Sequence, residues 1–139
     1  MEKIVEKIRY KRKPRKTLVV LDENALEGAR KMEISFEEFQ KLDLRIGKIT
    51  EANQIPGSRN LIRIIVDFGT EKRQAVAGLM QWYKPQDLVG KKCVFILNLQ
   101  KRKMMGVESQ CMILAAEDDK GNVVVLQPEK DIAEGSRIH

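Results

Sequence analysis

Apolar residues along this chain come in short runs, and their period changes near residue 43. Before that point Ser35-Phe-Glu-Glu38 reads as a capping box, in which Ser35 accepts from the Glu38 amide and Glu38 reaches back. A helix of about two turns is predicted from it, with Phe36, Phe39 and Leu42 facing inward at helical spacing. After it the pattern is that of strands. Leu44 to Thr50 alternates in part and runs to the turn Pro56-Gly57-Ser58, and Leu61 to Phe68 is rich in β-branched residues and closed by Gly69. Further strands are predicted at Arg73–Gly78, Lys92–Leu97, Cys111–Ala116 and Val123–Leu126, with a helical turn from Met80 to Lys84 stopped by Pro85. Gly47, Gly78 and Gly106 are candidates for bends or close backbone approach. Short strands at close spacing, with one small helix among them, predict an all-β barrel with short helices.

The 139 residues suit one domain, and hydrophobic residues at 42% with aromatics at only 5% predict a small, mostly aliphatic core. The globular part is expected to span residues 34–139. Residues 1–33 are expected to be a basic extension, partly ordered at most, with a short strand at Leu18–Leu21 and a short helix from Asn24 to Lys31 capped by Asp22. Charge changes the picture by its placement. Residues 1–34 hold ten Lys or Arg against six Asp or Glu, and within residues 1–16 the count is eight against two. A mildly basic domain with a strongly basic arm fits a polyanionic partner, and less well a solvated surface with a tail. No apolar run approaches the length of a membrane helix, and the charged N-terminus lacks a signal segment, so a soluble cytoplasmic protein is expected. Cys93 and Cys111 each sit in an apolar run and read as buried thiols; with His139 they do not make a zinc site.

Catalytic sets are missing. There is no interior histidine, no phosphate-binding glycine loop and no nucleophile elbow, and most carboxylates lie in charged runs such as Glu117-Asp-Asp119. No enzyme activity and no cofactor are expected. The informative stretch is Asn98 to Met112, which joins two apolar strands and is a poor hairpin by length. Lys101, Arg102 and Lys103 would neutralise phosphate and release counterions. Asn98 and Ser109 offer hydrogen bonds to base edges or sugar hydroxyls, and Met112 would pack on an exposed base. Read as composition alone, the same stretch is also a solvated basic loop with Met104 and Met105 filling the barrel mouth.

The phrases Phe39-x-x-Leu-Asp-Leu-Arg-Ile-Gly-Lys48, Lys72-Arg-Gln-Ala-Val-Ala-Gly78, Leu88-Val-Gly-Lys-Lys92, Asn98-Leu99 and Gly106-Val-Glu-Ser-Gln-Cys-Met-Ile-Leu-Ala-Ala116 occur in order. In them the chain, from about Ile34 to Ile138, resembles a tRNA-binding domain family. That domain occurs in free dimeric tRNA-binding proteins, as the C-terminal part of methionyl-tRNA synthetases and in endothelial monocyte-activating polypeptide II. The resemblance implies an oligonucleotide-binding (OB) fold, a five-stranded Greek-key barrel that offers one face to nucleic acid. It implies recognition of tRNA by shape, and a homodimer in which residues 117–139 pack against the symmetry mate. Asn98, Lys103, Ser109 and Met112 match positions lining the family's tRNA site, and Arg73 matches a basic position facing the same groove. Cys111 departs from a frequent glycine; it would matter if that glycine lets a nucleotide approach, and little if the side chain points inward. The implied function is non-catalytic tRNA binding in trans, assisting methionyl-tRNA synthetase. The alternative is a dimeric chaperone or secretion module of the same barrel family. Trp82 and Tyr83 are expected beside the barrel or at a subunit contact rather than stacking bases, and Arg45 is expected to pair with Asp43.

Overall fold

The computed structural model describes residues 32–139. The strand and helix expected at Leu18–Leu21 and Asn24–Lys31 lie outside the described residues. The chain divides after Phe39 into two compact units. In the first, the capping box forms as expected: the Glu38 amide donates to Ser35 Oγ at 3.0 Å and the Ser35 amide to Glu38 Oε1 at 3.4 Å. It opens helix α1, Phe36–Gln40. Five residues are little more than one turn, too few for the inward stripe that the spacing predicted. Phe36 and Leu42 are exposed instead, and Phe36 stacks on Phe39 with ring centroids 6.5 Å apart.

The second unit is a barrel. Its strands are β1 (Leu44–Gln54), β2 (Ile62–Asp67), β3 (Lys72–Ala77), β4 (Lys92–Ile96) and β7 (Met112–Ile113), in one antiparallel sheet of order β3-β2-β1-β4-β7. Strand β2 alternates buried and half-buried positions without a break, as β-branched residues on a half-buried surface should. Strand β1 pairs with β4 from Leu44 to Lys48 and with β2 from Lys48 to Gln54, so it belongs to both walls. A bulge between Ile49 and Glu51 provides the bend. Gly47 sits on that bent strand, where a Cβ would collide with Val66 and with the Phe68 ring. Inside, Phe68 and Phe95 meet edge to face at 5.4 Å among Ile49, Ile62, Ile64 and Val66, all essentially fully buried. Such a ring pair adds about 0.5–1.5 kcal/mol beyond the area it buries.

The helical turn expected before Pro85 forms, with the Tyr83 amide donating to the Leu79 carbonyl at 2.9 Å. A separate helix, α2, covers Pro85–Leu88, so the proline expected only to stop the turn also starts a second one. Proline suits a first helical position because the missing amide needs no partner there and its φ is already helical. Leu88 is buried in the core. The predicted strand Cys111–Ala116 is broken at Leu114 into β7 and β8 (Ala115–Glu117). The break is an exchange of partners. The Leu114 amide donates to the Val94 carbonyl at 2.9 Å, and the Val94 amide turns to the Leu126 carbonyl at 3.1 Å. Beyond it β8 pairs with β9 (Val123–Val125) as a hairpin. The segment 135–138 covers the other edge of β1: the Gly135 amide donates to the Ile46 carbonyl at 2.7 Å, the Ile46 amide to the Ser136 carbonyl at 2.9 Å and the Ile138 amide to the Leu44 carbonyl at 2.9 Å. Lys92 Nζ holds the chain just before this segment, donating to Asp131 Oδ1 at 2.8 Å and the Ile132 carbonyl at 2.6 Å.

Candidate nucleic-acid interface

The connection Asn98–Met112 is not an irregular loop. It folds into a second hairpin, β5 (Arg102–Met104) and β6 (Val107–Ser109), contrary to its reading as a poor hairpin by length. Only the inner part of the connection forms the hairpin, so its overall length is no bar. The two-residue turn Met105–Gly106 has positive φ at both positions, 50° and 81°, as a primed hairpin turn requires. Glycine meets that demand without strain, whereas methionine at position 105 meets it at a cost. The Met105 methyl lies 3.4 Å from where a Cβ on Gly57 would stand, so the hairpin tip reaches the β1–β2 turn.

Polar side chains moor this hairpin to the barrel. Asn98 Oδ1 accepts from the Asp43 amide at 2.8 Å, and Asn98 Nδ2 donates to the Lys41 carbonyl at 2.6 Å. The Arg73 guanidinium donates to the Leu97 carbonyl at 2.8 Å, the Gln110 carbonyl at 3.2 Å and Glu71 Oε2 at 3.2 Å. Ser109 Oγ accepts from the Val76 amide at 3.0 Å and donates to the Cys111 carbonyl at 3.1 Å. Two glutamines that the sequence reading passed over close the barrel. The Gln110 amide donates to the Gln74 carbonyl at 2.8 Å, and the Gln74 amide to Gln110 Oε1 at 3.0 Å. Gln74 Nε2 then donates to the Glu108 carbonyl at 2.8 Å. No local signal marks these two residues, since their partners lie 36 positions apart.

The site residues named from sequence therefore divide. Arg73, Asn98 and Ser109 are joined to the scaffold by hydrogen bonds. Lys101, Arg102, Lys103 and Met112 are exposed, and none of the three cations forms an ion pair among the described residues. Lys103 faces Glu108 across the hairpin, but that carboxylate accepts from Gln110 Nε2 at 3.2 Å. Between the hairpin and the end of β3 lies a groove of about 290 Å³, with Gly78, Leu99, Arg102, Met104, Met112 and Ala115 among its walls. Among the described residues no carboxylate lines it.

Cys111 is 5% exposed and packs into the core, yet it also lies in the wall of the groove, so the departure from glycine places a largely buried side chain beside that opening. Burial pushes the thiol of Cys111 up to about 12 and that of Cys93 up to about 11. Trp82 Nε1 donates to the Gly121 carbonyl at 3.0 Å, and Tyr83 Oη accepts from the Val125 amide at 3.1 Å, which ties both aromatics to the β8–β9 hairpin. Arg45 Nε donates to Asp43 Oδ1 at 2.7 Å, the expected pair, and this hydrogen bond holds the guanidinium above its ordinary pKa. Among the described residues no three His, Cys, Asp or Glu side chains gather to hold a metal ion, and no helix is long and apolar enough to cross a membrane.

A five-stranded antiparallel barrel, nearly closed by side chains and edged by free cations, defines a binding module of the OB-like class. Residues 44–137 match the family described as "Putative tRNA binding domain", and the chain belongs to that family. The matched domain is a binding domain, not a catalytic one. A methionine–tRNA ligase of Methanocaldococcus jannaschii is 51% identical over 113 residues, which are 81% of this chain and 17% of that protein. The chain thus spans about one sixth of the length of the curated relatives it matches. Among solved structures, a MetRS related protein from Pyrococcus horikoshii superposes with a TM-score of 0.74 at 37% identity, covering 78% of this chain and 100% of that one. The chaperone CsaA of Bacillus anthracis superposes with a TM-score of 0.70 at 34% identity, covering 77% of this chain and 99% of that one.

Proposed function

We propose that this chain binds tRNA without catalysing a reaction, working in trans as a cytoplasmic homodimer that assists a methionyl-tRNA synthetase. The observation that carries this reading is the row Lys101, Arg102 and Lys103, exposed on a hairpin that polar side chains hold in place. Rigidly placed cations neutralise phosphates and supply affinity that depends on salt, not on sequence. Asn98, Ser109 and Arg73 serve the same site chiefly as its supports, and Met112 adds an adaptable apolar contact beside the cations. The binding domain is residues 34–139. Exposed Val124, Leu126 and Ile132 support a role for residues 117–139 in the dimer contact. A module of this kind raises the local concentration of tRNA near a synthetase.

The test is tRNA binding measured over a range of salt. Affinity is expected to fall steeply as salt rises, with a shallower slope once the three cations are replaced by alanine. Affinity independent of salt would overturn the reading. Light scattering checks the dimer, for which a monomer at working concentration is the opposing result. A second reading, a peptide-binding chaperone module, is favoured by the apolar groove and by the likeness to the B. anthracis chaperone. Capture from extract with and without ribonuclease separates the two, since only RNA-mediated partners are lost after digestion.

A further inference from the structure

The cations account for phosphates, but they leave the apolar groove beside them without an occupant. We infer that this groove takes a single unstacked nucleobase of the bound RNA, while Lys101, Arg102 and Lys103 hold the phosphates on either side of it; the inference rests on the tRNA reading above.

Size is the first argument. A groove of about 290 Å³ lies just below the roughly 300–1,000 Å³ of small-molecule pockets, which suits one planar ring system. Its walls are the second. Leu99 and Met112 are both 45% exposed at its rim, with Met104 beside them, so aliphatic and thioether surface faces outward where a flat ring can lie against it. Left open to water, such surface is unfavourable; a base laid upon it removes it from water.

The polar groups are the third argument. Ser109 Oγ lines the groove and uses its proton on the Cys111 carbonyl and one lone pair on the Val76 amide, so its second lone pair is left to accept from a base amino group. Strand β3 is an edge here. Because Val76 sends its amide to Ser109, the alternation of the antiparallel ladder turns its carbonyl toward the same side. A base offers donors and acceptors in its own plane to match these groups, and an apolar peptide side chain offers none. Charge is the fourth argument. Arg102 lies both in the groove wall and in the cationic row, and among the described residues no acidic one lines the groove. A base and its phosphate are joined by one sugar, so a nucleotide reaches both features at once.

Among the described residues no aromatic ring lines the groove, so the expected effect sits at the lower end of base stacking on protein, about five- to tenfold in affinity for one base. The experiment uses the full chain and a set of tRNA transcripts, each carrying one abasic nucleotide at a position that is unpaired in the free RNA. One position, or two adjacent ones, is expected to weaken binding five- to tenfold with an unchanged salt slope, while the rest stay within about twofold. Ala115→Trp, at an exposed groove position, is expected to weaken binding of the intact transcript by the same factor and to leave the abasic transcript's affinity unchanged. Leu99→Ala is the milder companion should the tryptophan variant fail to fold by circular dichroism, and it is expected to show the same non-additivity. Binding that is indifferent to every abasic position, or losses that simply add, would overturn the base site while leaving the tRNA reading intact. Selective loss of a permanently unfolded polypeptide probe in the groove variants, with tRNA binding untouched, would likewise overturn it in favour of a peptide groove. Failure of the unaltered chain to bind any transcript would overturn the tRNA reading and the base site together.

Discussion

The wall formed by β1, β2 and β4 and the hairpin formed by β5 and β6 are held by different forces. In the wall, strands of five to eleven residues bury Ile49, Ile62, Ile64 and Phe95 completely, and position follows from burial. In the hairpin, strands of three residues bury nothing completely, and position follows from directed hydrogen bonds. Apolar burial has no direction, so it makes a barrel and leaves its surface uncommitted. Hydrogen bonds that Arg73 donates and that Asn98, Ser109 and Gln110 accept have direction, so they place a basic segment without neutralising it. A cationic site needs that second kind of support, because cations themselves cannot be buried to hold them still.

The contrast is open to attack from both sides. Phe95→Ala, in the wall, is expected to lower the unfolding free energy by about 3–5 kcal/mol; urea denaturation measures it, and a loss under 1 kcal/mol would mean that the core is not what sets the wall. Arg73→Ala is expected to cost about 2 kcal/mol, since it leaves the Leu97 and Gln110 carbonyls without their charged donor. Its sharper signature is faster amide exchange in residues 102–109 than in β2. Equal acceleration in both would erase the distinction. Replacing Lys101, Arg102 and Lys103 by alanine is expected to change stability by less than about 0.5 kcal/mol. It should nevertheless reduce the salt slope of tRNA binding by up to about 2–3. A large stability loss would show that the cations are structural after all.

The smallest effect is one of pH. The hydrogen bond from Lys92 holds the Asp131 carboxyl below its ordinary range and, in return, holds Lys92 above its own. The tie is therefore complete between the ordinary values of the two groups. It is lost as pH falls through the depressed Asp131 value, and also as pH rises through the raised Lys92 value. Amide protection at Gly135 and Ile138 is expected to weaken first at acid pH, ahead of β2, and Asp131→Asn is expected to produce the same weakening at neutral pH. Protection that is flat across the carboxylate range would detach the segment 135–138 from this ion pair.

The strand Leu61–Phe68, the capping box at Ser35 and the exposed cations at 101–103 were legible in the sequence, because each depends on residues a few positions apart, whereas Gly106 was marked only as a bend and its hairpin was not foreseen. Period, propensity and turn chemistry act at that range. The break at Leu114 and the start of α2 at Pro85 were not, because the same residues satisfy either reading until a partner strand or a neighbouring turn chooses. The roles of Arg73, Asn98 and Ser109 were legible as polar chemistry but not as moorings. Asn98 meets the Asp43 amide across 55 residues, and Ser109 meets the Val76 amide across 33. On its own, then, the sequence determined the long strands of the barrel wall, the aliphatic residues they bury and where positive charge is exposed, but not the β5–β6 hairpin or the outward turn of Phe36 and Leu42. Only the tertiary structure decided which polar side chains spend their hydrogen bonds inward and which are left for a ligand, because a donor cannot be assigned until closure of the barrel brings its acceptor within reach.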